Sequence, residues 1–224
     1  MQLYQEKDRQ YFSGVRSELI NLVSGTGNRI LEVGCGEGGT SAELKLQGKA
    51  IEAVGVELVP EAAEYAKQKL DQVIVGDIEK LNLPFTPERF DYIILGDVLE
   101  HLIDPWGCLK KLRNYLKLDG KVVASIPNVN HWRVLKDLIL KDKWEYVPAG
   151  TLDRTHLRFF TKKTIKAMFT QGGYKITYLG KNFSPRPWVR LLDRLTLGKL
   201  ERFLVFQYLV CVEKDVSDKS LSSD

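Results

Sequence analysis

The run Arg29-Ile-Leu-Glu-Val33 leads directly into Gly34-Cys-Gly36-Glu-Gly38-Gly39, and this junction constrains the chain more than any other stretch. A β-branched, apolar run is strand-forming, and glycines at its end free the backbone to approach a ligand closely. A helix beginning there offers unpaired N–H groups to that ligand. The same strand-to-helix rhythm continues to residue 126. Helices are expected over 40–47, 60–70 and 105–116, the second with Pro60 at its start, where a missing N–H is harmless, and the third closed by Asp119-Gly120. Strands are expected over 50–56, ending at Glu57, and over 72–75, 90–95 and 121–126. Phe12, Val15, Leu19, Ile20 and Val23 fall at helical spacing and predict a leading helix within 8–24. Strands alternating with helices form βαβ units, hence a parallel sheet covered on both faces.

Beyond Pro127 the rhythm breaks. Residues 127–160 read as a long irregular insertion rich in Trp, Asn, Arg and His. A helix follows from the N-cap Thr161 to Gln171, then a strand over 174–180, a second insertion over 181–204 and a last strand over 205–213. The expected organisation is one domain over 1–213, with the ligand-binding half at 28–126 and a disordered tail at 214–224. Loops beside a rigid α/β sheet are where substrate chemistry is usually carried, which directs attention to the two insertions.

Composition narrows the class. With 224 residues, 44% of them hydrophobic, the chain can bury a sizeable core. Lys and Arg total 33 against 29 Asp and Glu, and a net charge of +4 is too small a bias to argue for nucleic-acid binding. Cys35, Cys108 and Cys211 are scattered and odd in number, against a disulfide framework or a zinc site. No apolar run reaches membrane-spanning length and the first residues lack a signal-peptide core, so a cytoplasmic location is expected.

Read literally, Gly34, Gly36 and Gly39 satisfy a dinucleotide fingerprint, and Glu57, about 20 residues on, could hold a ribose as in NAD sites. A P-loop is excluded, since no Lys-Ser/Thr follows the glycines. Glu32, two residues before the first glycine, suits a cationic ligand better than a pyrophosphate. Gly76-Asp77-Ile78 places an acid where it could accept from an adenine amino group. Gly96-Asp-Val-Leu-Glu-His-Leu102 follows the fourth strand.

With Leu31-Glu-Val-Gly-Cys-Gly-Glu-Gly38, Val54-Gly-Val-Glu57, Gly76-Asp77, the stretch from Phe90 to Leu102 and Leu118-Asp-Gly-Lys-Val-Val123, the chain resembles the class I S-adenosylmethionine-dependent methyltransferases. The resemblance implies an α/β, Rossmann-like seven-stranded sheet: five parallel strands, then a sixth and an antiparallel seventh. It implies Gly34, Cys35 and Gly36 along the methionine moiety with Glu32 nearby, Glu57 on the ribose, and Leu58, Asp77 and Ile78 around the adenine. Gly96, Asp97 and Val98 would pass the sulfonium end, and His101 could orient the cofactor. S-adenosylhomocysteine would be the product.

The segment Ile126-Pro-Asn-Val-Asn-His-Trp132 and the stretch Val147 to Thr161 look like the active-site cover of ubiquinone-biosynthesis-type O-methyltransferases, and still more like methyltransferases found with sugar and polysaccharide biosynthesis. A nucleic-acid amino-methylating enzyme of this fold would carry an Asn/Asp-Pro-Pro-aromatic stretch where this chain has Gly96-Asp-Val-Leu. The expected acceptor is therefore a small-molecule oxygen, on a sugar or a phenol/quinone-like ring. A hydroxyl nucleophile usually needs a base within hydrogen-bond reach. His156 is the expected base, with His131 and Asp153 as alternatives, and Arg154 and Arg158 could pair an anionic substrate group. No ligand spacing specifies a metal. The basic, apolar stretch 185–204 is either a helix packed on the sheet edge or at a dimer contact, the favoured reading, or a peripheral membrane contact. A non-catalytic S-adenosylmethionine-binding protein and an NAD-binding oxidoreductase are the competing functions.

Overall fold

A computed structural model describes residues 7, 9–183 and 187–216. The strands are β1 (Asn28–Val33), β2 (Ala50–Glu57), β3 (Gln72–Val75), β4 (Phe90–Gly96), β5 (Leu116–Pro127), β6 (Tyr174–Phe183) and β7 (Val205–Lys214). They form one sheet in the order β3-β2-β1-β4-β5-β7-β6, with β1 to β5 parallel and β7 antiparallel to both β5 and β6. The expected seven-stranded topology is the observed one.

Alternation along the central strands supplies two cores. Leu31, Val33, Ile93, Leu95, Val122 and Ala124 face one side, with Leu109 and Leu112 of α5 (Pro105–Tyr115) and Ile165 and Phe169 of α7 (Lys162–Gln171). Ile30, Tyr92, Ile94 and Val123 face the other, with Leu19 and Ile20 of α2 (Ser17–Ile20) and Leu44 of α3 (Gly39–Leu46). Both faces are apolar because helices cover both. The helix α4 (Pro60–Ala66) packs Ala66 with Leu70 against Ala53 of β2.

Several expected boundaries change. The leading helix over 8–24 is two short helices, α1 (Arg9–Phe12) and α2, broken at Ser13–Arg16. The break is held from outside: the Phe12 carbonyl accepts from Glu37 N at 2.9 Å and Arg16 N donates to Thr40 Oγ1 at 3.2 Å, so the segment lies across the glycine loop instead of coiling. The helix expected over 60–70 ends at Ala66. β5 begins at Leu116 rather than 121, because Phe90 pairs with Leu116 before a register shift, and Asp119-Gly120 lies within the strand.

The insertion 127–160 is not wholly irregular. It contains α6 (Trp132–Lys141), which buries only Val134 and exposes Ile139 and Leu140. Thr161 caps α7 as expected, in a capping box with Thr164. The second insertion holds α8 (Pro187–Leu195) and α9 (Glu201–Leu204). Val189 and Leu204 are buried, and Lys181 on β6 pairs with Glu201 at 2.9 Å and Asp193 at 3.7 Å, so the stretch packs along the β6–β7 edge. Residues 184–186 of that stretch and 217–224 of the expected tail lie outside the described residues. No helix among the described residues is long and apolar enough to cross a membrane.

Candidate active site

In an open α/β sheet the crevice forms where neighbouring strands lead their connections in opposite directions, here between β1 and β4. A cleft of about 330 Å³ opens there, and all twelve residues that the resemblance assigned to the cofactor line it. Gly34, Gly36 and Gly38 take φ of +67°, +53° and +77°, a region that side chains disfavour. Gly34 N and Cys35 N both donate to Val56 O, and Gly36 N donates to Glu57 Oε2 at 2.8 Å. Glu57 Oε1 accepts from Val59 N at 2.8 Å, so the acid closing β2 is fixed by main-chain donors on both sides. Cys35 is buried against Gly55, and Cys108 and Cys211 are buried as well; burial pushes all three thiols up, so none is poised as a nucleophile.

Glu32 is 5% exposed and accepts from Ser41 N, in the first turn of α3, at 3.1 Å. Burial raises its carboxyl to about 7, and burial raises that of Glu57 too. Asp97 follows β4 with φ +54°; Arg16 pairs with it, and Ser125 Oγ and Gln207 Nε2 donate to it. Burial still lifts the Asp97 carboxyl above its ordinary range. Asp77 Oδ1 receives Glu79 N at 2.9 Å, and Glu79 in turn receives Ile103 N and Asp104 N, which fastens the cleft lip.

The cleft's charges decide between the two cofactors. Glu32, Glu57, Asp77, Glu79 and Asp97 line it against the single guanidinium of Arg16, itself committed to Asp97. A pyrophosphate would meet five carboxylates, whereas a ligand carrying an ammonium and a sulfonium finds complementary charge.

The residues expected to act on the acceptor scatter. His101 lines the cleft; His156 is buried behind it, ring centroids 4.6 Å apart and edge to face. His101 Nδ1 lies 3.1 Å from Thr155 O and His156 Nδ1 lies 3.0 Å from Thr151 O. Carbonyls only accept, so both imidazoles are held as Nδ1–H tautomers with Nε2 as the acceptor atom. Burial lowers both, His101 to about 4, which keeps them neutral.

Asp153 is 2% exposed. Its Oδ1 accepts from Thr155 N and Oγ1, and its Oδ2 pairs with Lys7 at 2.5 Å. Burial raises this carboxyl, but Lys7 and the Thr155 donors outweigh burial and hold it below the usual range. Asp153 is thus committed to an internal ion pair. His131 packs between Trp132 and Phe206 and is not among the cleft-lining residues. Arg158 donates to Ile103 O, tying its segment to the cleft lip. Arg154 is exposed, with no side-chain ion pair among the described residues. Sequence reasoning missed Tyr11, Phe12, Gly14 and Arg16, which close the cleft from the N-terminal segment, and Leu157. It also left Glu100, in the turn Leu99–His101, without a role. Glu100 stands within the Gly96–Leu102 stretch, but no local motif marks the others; only the folding of distant segments onto the glycine loop brings them in.

This sheet order, with a glycine loop at the switch point and acids after β2, β3 and β4, is that of an S-adenosylmethionine-dependent methyltransferase. The chain belongs to the methyltransferase domain family, whose model matches residues 4–179. It is 26% identical over 181 residues to an uncharacterised methyltransferase of Anoxybacillus flavithermus, covering 80% of this chain and 84% of that one. It is 27% identical over 194 residues to the ubiquinone biosynthesis O-methyltransferase of Aeromonas salmonicida, covering 83% and 78%. Among solved structures, a SAM-dependent methyltransferase from Archaeoglobus fulgidus shares the fold with a TM-score of 0.63 at 21% identity, covering 92% of this chain and 95% of that one.

Proposed function

We propose that the protein methylates a hydroxyl oxygen of a small molecule, a sugar or a phenol/quinone-like ring, that enters beside His101. The observation that carries this reading is the pair of neutral imidazoles, His101 in the cleft and His156 behind it, next to the Gly96–Val98 end where the sulfonium is expected. The name of the Aeromonas salmonicida relative, an O-methyltransferase, supports the same chemistry.

S-adenosylmethionine supplies an activated methyl: the acceptor oxygen's lone pair forms the new C–O bond while the C–S electron pair returns to sulfur, leaving a thioether. The chain's residues align and shield that displacement. Glu32 would meet the ligand's ammonium group, Gly34, Cys35 and Gly36 would lie along its methionine part, and Glu57 would accept from the ribose hydroxyls. Leu58 would lie beside the adenine, and Asp77 and Ile78 would flank it, Asp77 able to accept from its amino group. The hydroxyl proton passes to His101 Nε2, the lone pair nearest the cleft, rather than to His156. Arg154 is the guanidinium left to meet an anionic group on the acceptor.

The test is calorimetric titration with S-adenosylhomocysteine, with NADH as the control, followed by methyl transfer from labelled S-adenosylmethionine to a panel of phenols and sugars. Saturable binding of S-adenosylhomocysteine alone, with turnover lost in His101→Gln but binding retained, is expected. Binding without turnover on any acceptor would favour a non-catalytic role.

A further inference from the structure

We propose that Glu100, His101 and His156 form a site for a divalent transition-metal cation at the acceptor end of the cleft. One ligand atom from each residue lies within 4.8 Å of the other two, and His156 Nε2 is 3.9 Å from Glu100 Oε1. Glu100 carries the argument. Its side chain is 1% exposed, and neither carboxylate oxygen has a hydrogen-bond partner among the described residues. A buried carboxyl without a partner either keeps its proton or recruits a cation; burial pushes Glu100 well above the usual carboxylate range, and a bound cation would take that proton's place. The cations nearby are already taken: Arg16 is paired with Asp97 and Lys7 with Asp153.

The two histidines are prepared as ligands should be. A metal-binding imidazole donates its other ring N–H to a carbonyl or carboxylate, which fixes its tautomer and aims its lone pair. Thr155 O and Thr151 O do this for His101 and His156. The cluster is also tied together through the backbone, since Leu157 N and Arg158 N both donate to Glu100 O, at 2.8 and 3.0 Å. These bonds fasten the segment bearing His156 to the turn bearing Glu100 and His101. A metal with bonds of about 2.1 Å holds neighbouring ligand atoms roughly 3.0–3.4 Å apart, so closure asks for movements on the order of 1 Å.

Two imidazoles and one carboxylate are a ligand set for Zn²⁺, Mn²⁺, Co²⁺ or Fe²⁺ rather than for Ca²⁺ or Mg²⁺, and they leave coordination positions open. The cleft side is that of His101, where the Tyr11 hydroxyl lies 3.5 Å from Nε2 and would give way to the ion. The chemical role of the ion rests on the proposed acceptor position. An acceptor hydroxyl bound there loses its proton near neutral pH to solvent, and the ion takes over the part assigned to His101 Nε2 in the metal-free protein. An acceptor with two adjacent oxygens could chelate it.

The experiment is titration of tag-free, chelator-treated full-length protein with Zn²⁺ by calorimetry and with Co²⁺ by visible absorption, Mg²⁺ and Ca²⁺ serving as comparison ions. One Zn²⁺ or Co²⁺ per chain is expected, bound at least 100-fold more weakly in Glu100→Gln and His156→Gln, with S-adenosylhomocysteine binding retained in both. Should a buried variant fail to fold, His101→Gln, on the cleft side, carries the same expectation. No saturable binding, or binding unchanged in the variants that fold, overturns the site. The two readings fail separately: methyl transfer by a protein that binds no cation removes the metal alone. Stoichiometric cation binding without methyl transfer removes the acceptor chemistry alone.

Discussion

Glu32 should set stability and ligand binding against each other, and Glu32→Gln separates them. In the folded chain burial raises this carboxyl to about 7, against an ordinary value of 4.5. The folded state therefore holds the proton more tightly than the unfolded state, and its stability falls as pH rises from about 4.5 to about 7. Taking those two values, ionisation of Glu32 costs roughly 1 kcal/mol at pH 5 and roughly 3 kcal/mol at pH 8. Any unsatisfied amide hydrogen on the glutamine adds a penalty that does not depend on pH. The stability of Glu32→Gln relative to wild type should therefore improve by about 2–3 kcal/mol between pH 5 and pH 8. For a chain of this size that is about 5–10 °C in relative melting temperature. Parallel thermal melts at the two pH values measure it. The cost appears in binding: losing a charge-assisted contact worth about 1.5–3 kcal/mol should weaken S-adenosylhomocysteine roughly 10- to 100-fold at pH 8. Wild type should also release about half a proton on binding at pH 7, seen by calorimetry in buffers of different ionisation enthalpy, and the variant none. A relative stability that stays flat from pH 5 to pH 8 would refute the reasoning.

Three further outcomes follow from the geometry. Gly34→Ala forces a side chain to φ +67° and sets its Cβ 2.8 Å from Val98 Cγ2; a loss of at least about 1–2 kcal/mol in denaturant unfolding is expected, relieved only in part by adding Val98→Ala. Lys7→Met strands Asp153, and should cost about 3–5 kcal/mol, with the double variant Lys7→Met/Asp153→Asn recovering much of it; equal melting of single and double variants would argue that the pair is not coupled. Thr161→Ala removes the cap of α7 and should lower unfolding stability by about 1 kcal/mol without changing S-adenosylhomocysteine affinity.

The parallel sheet was legible in the chain because its signals are local. Apolar runs such as Phe90 to Leu95, glycines at a strand end and Pro60 at a helix start each act within a few residues. The acids Glu32, Glu57, Asp77 and Asp97 were legible for the same reason, each standing at or beside the carboxyl end of a strand whose position the alternation reveals. Helical spacing misled at the N-terminus. Phe12 to Val23 reads as one helix, yet the Glu37 and Thr40 contacts draw residues 13–16 across the glycine loop, and tertiary hydrogen bonds outweigh a weak local preference. The choice among histidines was likewise beyond local reading. His101, His131 and His156 are equivalent as residue types, and their roles depend on which carbonyl holds Nδ1 and which ring reaches the cleft. By itself the sequence determined the sheet and the acidic floor that favours a cationic ligand, because periodicity and strand ends are local properties. Only the tertiary structure decided that Glu100, His101 and His156 share one place, because that required Leu157 and Arg158 to find the carbonyl of Glu100 from a distant part of the chain.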